Sequence, residues 1–232
     1  SGGESIAIMK VALIALSLLP VSAIAREFPI SIYGVSSTGA LPEIAEAGFT
    51  HILPTSKVPT EQEHFANASR KVGLRFIGFP HPSPAFRSNR FQVAAWYLSD
   101  EPDVNHESPD EIRRQAARVR AWDPHTPLVL VVGQGARAAE YADSVDAVMV
   151  DWYPIPHLPI ASLGDEITIA VSQVPSKPIW AVVQSMDWRD YPQRDPKKPR
   201  IGRFPNHGEL RFMAYHAIVR GAIGVFFLQL SK

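Results

Sequence analysis

The sequence predicts an α/β protein folded as a single-domain (β/α)8 TIM barrel, and three observations favour this fold class. Eight short apolar runs alternate with amphipathic segments of helical spacing. Most of these runs are continuously apolar, as parallel strands covered on both faces are. The chain of 232 residues is 46% hydrophobic, which is enough for one substantial core. An open, doubly wound sheet is the alternative that the same alternation allows.

Each predicted strand is bounded by turn or helix signals. In chain order the predicted strands are Ile30–Val35, Thr50–Pro54, Arg75–Pro80, Val93–Asp100, Leu128–Val132, Ala147–Tyr153, Ile179–Gln184 and Ile223–Leu228. The sequence ends at Lys232, just after the eighth strand. The final outer helix of the barrel is therefore expected to be missing or truncated.

The segments between the strands carry helix start and stop signals. Ser108 can cap a helix that has Pro109 in its first turn and acidic residues at its positive end. Glycines end or follow the two earliest helices, as C-cap glycines do. The predicted helices are Leu41–Gly48, Glu61–Val72, Pro82–Arg90, Ser108–Trp122, Ala136–Val145, Ala161–Val174 and Glu209–Val219.

The N-terminal segment resembles a targeting signal. Met9 and Lys10 precede the apolar stretch Val11–Ala25, which ends in small residues typical of signal-peptidase sites. A run of about 15 apolar residues is short for a membrane span. We therefore expect residues 1–8 to lie upstream of the natural start, 9–25 to be a signal peptide, and 26–232 to form the barrel of a secreted or periplasmic protein. An ordinary buried helix is the alternative.

Composition argues against several classes of function. The 23 basic and 23 acidic residues balance, and without a basic block a nucleic-acid partner has no electrostatic support. Cysteine is absent, which excludes disulfides and thiolate chemistry. The histidines lack paired metal-ligand spacing, and Gly133–Gly135 is interpreted as a strand-to-helix turn rather than a phosphate loop. No cofactor, no metal and no membrane contact after signal cleavage are expected; the oligomeric state is open.

The most informative motif is Trp96–Pro102, an apolar strand that ends in two adjacent carboxylates. In a TIM barrel the carboxyl ends of the strands open onto the active-site face. Neighbouring carboxylates resist joint ionisation, so one pKa rises. We therefore interpret Glu101 as a general acid that protonates a glycosidic oxygen, with Asp100 as its polarising neighbour. A loop salt bridge, for example with Arg113, is the alternative.

Other predicted strand ends add acidic, aromatic and amide side chains to the same face. Asp151 would bind a hydroxyl, activate water or orient a reacting group, or would instead satisfy loop amides. Aromatic faces stack on sugar rings, and amides bind hydroxyls, so a carbohydrate substrate is indicated. The predicted substrate-binding residues are Tyr33, His81, Trp152, Tyr153, Gln184 and Trp188. For each a structural role is the alternative. A third hypothesis is a metal-dependent hydrolase, in which Asp100, Glu101 and Asp151 hold a hard cation.

Three motifs resemble glycoside-hydrolase barrels. Trp96–Pro102 reads WYLSDEP and is similar to their strand-four Tyr-Leu-x-Asp-Glu-Pro motif. Asp151–Pro154 reads DWYP and is similar to their strand-six Asp-x-Tyr-Pro. Glu209–Val225 looks like their last helix and strand, with a Glu-x-Arg, Tyr-x-Ala, Gly-Ala-x-Gly pattern. The resemblance implies a TIM-barrel glycosidase acting on a glycan.

The resemblance implies two possible mechanisms. Retaining barrel glycosidases of the large common superfamily pair a strand-four acid with a strand-seven nucleophile; Glu101 matches the acid, but Gln184 cannot form the glycosyl ester. In glycoside hydrolase families 20 and 123, an adjacent Asp-Glu pair serves substrate-assisted β-N-acetylhexosaminidases, and Asp100 and Glu101 match that pair. A catalytically inactive carbohydrate-binding barrel is the alternative function, favoured by the amide at position 184.

Overall fold

The computed structural model describes residues 28–87, 91–191 and 200–229, and it shows a closed barrel of eight parallel strands. Each strand pairs with its sequence neighbour, and the first pairs with the last. The predicted (β/α)8 fold is confirmed, and the open sheet is excluded. The strands are β1 (Ile30–Val35), β2 (His51–Pro54), β3 (Arg75–Gly78), β4 (Ala95–Asp100), β5 (Leu128–Val132), β6 (Ala147–Trp152), β7 (Ile179–Gln184) and β8 (Val225–Leu228).

Helices follow the first seven strands. They are α1 (Leu41–Glu46), α2 (Pro59–Lys71), α3 (Pro84–Arg87), α4 (Pro109–Arg120), α5 (Ala138–Tyr141), α6 (Ser162–Gln173) and α7 (His207–Val219). The Ser108 hydroxyl caps α4 by accepting from the Glu111 N–H, as its sequence predicts. The predicted helix Ala136–Val145 is divided, because α5 lies between two 3-10 turns. The predicted signal peptide lies outside the described residues.

Side chains of the strands alternate between two apolar layers. Inward residues such as Tyr97, Met149 and Phe226 fill the barrel. Outward residues such as Trp96 and Val148 pack beneath the helices. This alternation positions the site, since the last inward residue of each strand faces the open mouth at the carboxyl ends.

Some side chains of β1 and β8 are less buried than those of other strands. No helix follows β8 within the described residues. Ile30 at the start of β1 is 38% exposed, and the outward side chains of Ile32 and Phe227 are only partly buried. Corresponding outward residues such as Ile52 and Trp96 are completely buried beneath helices. Across the described residues, no helix has the length and apolar character required to cross a membrane.

Candidate functional site

A β-bulge in β4 turns Asp100 toward the barrel axis. Tyr97 is opposite Val129 and Asp100 is opposite Val131, so β4 contains one residue more than β5 over this stretch. Simple alternation would send Asp100 outward with Trp96. Instead its Oδ1 accepts hydrogen bonds from the hydroxyls of Tyr33, at 2.9 Å, and Tyr97, at 2.5 Å. Bulges beside active sites commonly re-aim a side chain in this way.

The two tyrosines form a fixed donor pair for Asp100. Their hydroxyl oxygens lie 2.9 Å apart, and their rings meet at a centroid distance of 5.6 Å. Burial, the largest cause, raises the pKa of both phenols, so both hydroxyls stay protonated and can donate. Tyr97 is not among the sequence-predicted site residues. Its inward position three residues before Asp100 is the signal that could have identified it.

Glu101 follows in a left-handed backbone conformation. Its φ is +45°, a region that costs a residue with a Cβ about 1–2 kcal/mol. Its N–H donates to the Val131 carbonyl at 3.1 Å, and its carbonyl accepts from the N–H groups of Val104 and Asn105. The chain therefore turns sharply at Glu101, immediately beyond the bulge, and its half-buried side chain lines the mouth of the barrel.

Asp151 lies across the mouth at the end of β6 and is only 6% exposed. Its Oδ2 accepts from the Tyr153 hydroxyl at 2.9 Å. Its Oδ1 is buried and meets no N–H or hydroxyl donor of the described residues. The charge of Glu101 acts on Asp151, so ionisation of one carboxyl group disfavours ionisation of the other. Their interaction raises the pKa of Asp151 and opposes the rise at Glu101, which favours Asp151 as the group that keeps the proton.

Burial and like charge both favour retention of that proton. Burial is the main cause that raises the pKa of Asp151, and the charge of Glu101 comes next. Burial likewise leads in raising the pKa of Glu101, followed by the charge of Asp100. The pair therefore retains one proton at pH values at which isolated carboxyl groups have lost theirs, and it titrates as a unit.

Space for Glu101 depends on Gly133, just after β5. A Cβ on Gly133 would lie 3.1 Å from Glu101 Oε1 and 2.7 Å from Val104 Cγ2. The Asp103 carboxylate accepts from the N–H groups of Gly133 and Gln134 at 3.1 and 3.0 Å. The predicted strand-to-helix turn at Gly133–Gly135 is confirmed, and it is tied to the loop that carries Glu101.

We expect Gly133→Ala to destabilise the folded protein by about 1–3 kcal/mol, because the added methyl group must displace Val104 or Glu101. Urea denaturation followed by circular dichroism would measure the loss. Gly39→Ala is the matched control, since its Cβ would meet only Ser37 Oγ at 3.4 Å. An unchanged free energy of unfolding in Gly133→Ala would contradict the close approach of Glu101 and Val104 to Gly133.

A cavity of about 270 Å³ lies over the carboxyl pair. One wall is aromatic: the rings of Tyr153 and Trp188 meet edge to face at 5.9 Å, and Tyr191 lies 5.3 Å beyond Trp188. Such a wall is suited to the apolar face of a sugar ring. The cavity is lined by Glu101, Val104, Gly133, Gln134, Asp151, Trp152, Tyr153, Leu158 and Trp188.

Five of the nine sequence-predicted residues line this cavity, and four do not: Tyr33, His81, Asp100 and Gln184. Gln184 is completely buried, and its amide bonds to the backbone of Ile155 and Met186. Both amide hydrogens are therefore bonded to backbone carbonyl oxygens within the protein. This arrangement agrees with a structural role for Gln184. His81 is partly buried, and its Nδ1 has no hydrogen-bond partner in the described part of the chain. Trp152 reaches the cavity edge while its Nε1 donates to Ser162 Oγ at 2.9 Å.

Residues 28–87, 91–191 and 200–229 contain no group of three His, Asp or Glu side chains placed to hold a metal ion. Asp100 accepts from two tyrosine hydroxyls, and Asp151 accepts from the Tyr153 hydroxyl. Metal-free chemistry remains a prediction, which a chelator experiment can check.

No protein family and no curated protein sequence matches this chain. Solved structures match its fold. A β-1,3-glucanosyltransferase mutant of Rhizomucor miehei in complex with laminaritriose is 10% identical, with a TM-score of 0.61 over 90% of this chain and 89% of that one. A thermostable xylanase mutant from Cellvibrio japonicus is 15% identical, with a TM-score of 0.56 over 89% and 88%.

The likeness concerns the fold alone. A truncated 3-deoxy-D-arabino-heptulosonate 7-phosphate synthase from Thermotoga maritima is also similar, at 15% identity and a TM-score of 0.51 over 87% of this chain and 74% of that chain. Glycoside hydrolase barrels are thus among the similar structures, but barrels of other chemistry are as well.

Proposed function

We propose that this protein is a glycoside hydrolase in which Glu101 is the general acid. The observation that carries the proposal is a pair of carboxyl groups, Glu101 and Asp151, that line an aromatic-walled cavity and whose pKa values are raised by burial. A glycosidic oxygen leaves readily only when it is protonated, so the acid must keep its proton near neutral pH. The similarity in fold to a xylanase and to a glucanosyltransferase with bound laminaritriose agrees with a carbohydrate substrate.

In the proposed reaction the substrate ring lies against Tyr153 and Trp188 with its glycosidic oxygen at Glu101. As the C–O bond breaks, the oxygen becomes basic enough to take the proton from the carboxyl pair. Asp151 is held by the Tyr153 hydroxyl and keeps the Glu101 carboxyl oriented until that moment. Transfer leaves Glu101 and Asp151 both ionised. A water molecule then attacks the anomeric carbon of the intermediate, and its proton returns to the carboxyl pair while its hydroxyl group remains on the sugar.

The nucleophile is proposed to come from the substrate. Gln184 occupies the end of β7, and its buried amide cannot form a glycosyl ester. Asp100 is fixed through Oδ1 by two tyrosine hydroxyls, and Oδ2 has no hydrogen bond among the described residues. That oxygen can accept the N–H of a 2-acetamido group and orient its carbonyl oxygen toward the anomeric carbon.

A paired set of aryl glycosides tests this proposal. We expect hydrolysis of an aryl 2-acetamido-2-deoxy glycoside and at least about a hundredfold slower hydrolysis of the 2-hydroxy counterpart, because only the former carries a nucleophile. Release of the aryl group is measured by absorbance, with and without a chelator. Equal rates on both glycosides would contradict the substrate-assisted route, and loss of activity with the chelator would indicate a metal-dependent enzyme.

The second candidate function is a catalytically inactive barrel that binds glycans. The buried amide at Gln184, in place of a strand-seven carboxylate, is the observation that favours it. Calorimetric binding of oligosaccharides without release of product from any glycoside in the set would select this candidate over the enzyme.

The proposed location is outside the cytoplasm, in a secreted or periplasmic compartment. The proposal is supported by the basic, apolar and small-residue order of residues 9–25. Mass spectrometry of the protein expressed with its leader in a bacterial host would test it, because cleavage after Ala25 leaves Arg26 as the first residue.

A further inference from the structure

A second cavity adjoins the first across Trp188. It has a volume of about 290 Å³ and is lined by His157, Trp188, Arg200 and Ile201. Trp188 also lines the cavity above the carboxyl pair, so one indole ring borders both spaces. A glycan longer than one ring that occupies the first cavity would therefore extend over Trp188 into the second. This reasoning rests on the proposed function.

Arg200 brings a positive charge to the second cavity. Its guanidinium carbon lies 5.5 Å from the ring centre of Trp188 and 5.6 Å from that of Tyr191. Stacking on aromatic rings orients the guanidinium without using its N–H donors in ion pairs. Within the described residues, Arg200 has no carboxylate partner, whereas Arg189 and Arg203 on either side are paired with Asp187 and Glu209.

A hydrogen bond connects two of the residues that line the second cavity. His157 Nε2 lies 2.8 Å from the Ile201 carbonyl oxygen, and a bond at this distance requires the proton on Nε2. This contact joins the loop after β6 to the segment that carries Arg200. The cavity is therefore bordered from two loops and presents an oriented guanidinium to whatever occupies it.

The two cavities differ in charge. Glu101 and Asp151 line the first, and Asp100 precedes Glu101 in the chain, so an anionic group on the ring placed there would be repelled. Arg200 in the second favours an anionic group. The charge distribution therefore separates a neutral reacting ring from a charged neighbouring ring.

We propose that the cavity at Trp188 and Arg200 binds a carboxylate or sulfate group on the sugar that flanks the reacting ring. The substrate class is then an acidic glycan in which the reacting ring is neutral and its neighbour carries the charge. Arg200 donates charge-assisted hydrogen bonds to the anionic oxygens, while Trp188 separates the two rings.

Isothermal titration calorimetry tests the proposal with oligosaccharides that share a 2-acetamido ring and differ only in its neighbour: a neutral hexose, the corresponding uronate, or the 6-sulfated hexose. For the intact protein we expect the uronate or the sulfated form to bind about tenfold or more tightly than the neutral form, and this preference to weaken as salt increases. The better of the two charged probes identifies the anionic group. Arg200→Gln should remove the preference.

Arg211→Gln is the matched control. Arg211 is exposed and lies 5.6 Å over the Tyr215 ring on α7, so the variant removes a stacked arginine of the same kind away from the mouth. It should retain the preference for the charged oligosaccharide. Equal affinity for neutral and charged forms, or an unchanged preference in Arg200→Gln, would overturn the inference.

A further measurement separates this inference from the proposed function. Aryl glycosides of a single sugar ring test the first cavity alone, because they do not extend past Trp188. If the wild-type protein hydrolyses them but shows no charge preference among the oligosaccharides, the inference fails and the proposed function stands. If the protein neither hydrolyses an aryl glycoside nor binds an oligosaccharide, both fail.

Discussion

Glu101→Gln should lower kcat on glycosides with poor leaving groups by about a thousandfold, within the range of general acid catalysis. Glutamine preserves the shape of the side chain and can donate to Asp151, but it has no proton to transfer to the glycosidic oxygen. The loss should depend on the leaving group. Aryl glycosides with strongly acidic phenols need little protonation, so their kcat should fall far less than that of alkyl glycosides.

This dependence distinguishes an acid catalyst from a residue that only supports the fold. A structural defect would slow all substrates alike and lower the melting temperature. Glu140→Gln is the matched control, because Glu140 forms an exposed ion pair with Arg137 on the surface. It should leave kcat unchanged for every leaving group. If Glu101→Gln retains turnover of alkyl glycosides, the assignment of the acid is wrong.

The second large effect is expected for Asp151→Asn, with kcat reduced by about a hundredfold and a changed pH profile. In the wild-type protein the carboxyl pair loses its last proton only at elevated pH, because that step leaves both carboxyl groups charged. Asparagine carries no charge and donates to the Glu101 carboxylate, which lowers the pKa of Glu101 relative to the pair. The alkaline limb of the profile should therefore move to lower pH.

Profiles of kcat/KM against pH for the wild-type protein and the variant would show this shift. Asp165→Asn is the control, since Asp165 is exposed and lies 3.6 Å from Arg220. An alkaline limb that stays in place in Asp151→Asn would contradict the coupled titration of the two carboxyl groups.

The raised pKa of Asp151 also makes the free energy of unfolding depend on pH. In the unfolded chain an aspartate ionises near its ordinary pKa of about 4, whereas in the folded protein it resists ionisation. Stability is therefore lost as the pH rises from the unfolded pKa toward the folded pKa. The Asp151→Asn variant should lose less free energy of unfolding than the wild type over this interval, which urea denaturation at several pH values would measure.

The barrel could be predicted from sequence because its strands are buried on both faces. Continuous apolar runs such as Leu128–Val132 and Ile179–Gln184 coincide with observed strands, and all eight predicted strands are present. Helix signals such as Ser108 and Pro109 also act as their chemistry indicates. At these positions the intrinsic secondary-structure preference of the residues agrees with their burial in the fold. Local sequence patterns are therefore sufficient to predict the strands and helices.

The site was predicted less completely, since its geometry depends on contacts between distant parts of the chain. Alternation alone does not reveal the bulge that turns Asp100 inward, which depends on the register of β4 against β5. The buried contact between Gln184 and Ile155 arises because the loop after β6 crosses the end of β7. Asp103 and Gly133 likewise act through a contact between two loops. A single sequence does not indicate which of these distant positions are in contact.

Glu101 occupies a backbone conformation that glycine would adopt at no steric cost. Laboratory evolution that selects for thermal stability alone would therefore favour Glu101→Gly, which relieves the backbone strain but removes the proposed acid. Screens for robust forms of this barrel need a simultaneous assay for turnover, because glycine would relieve backbone strain at Glu101 and would also remove the proposed acid.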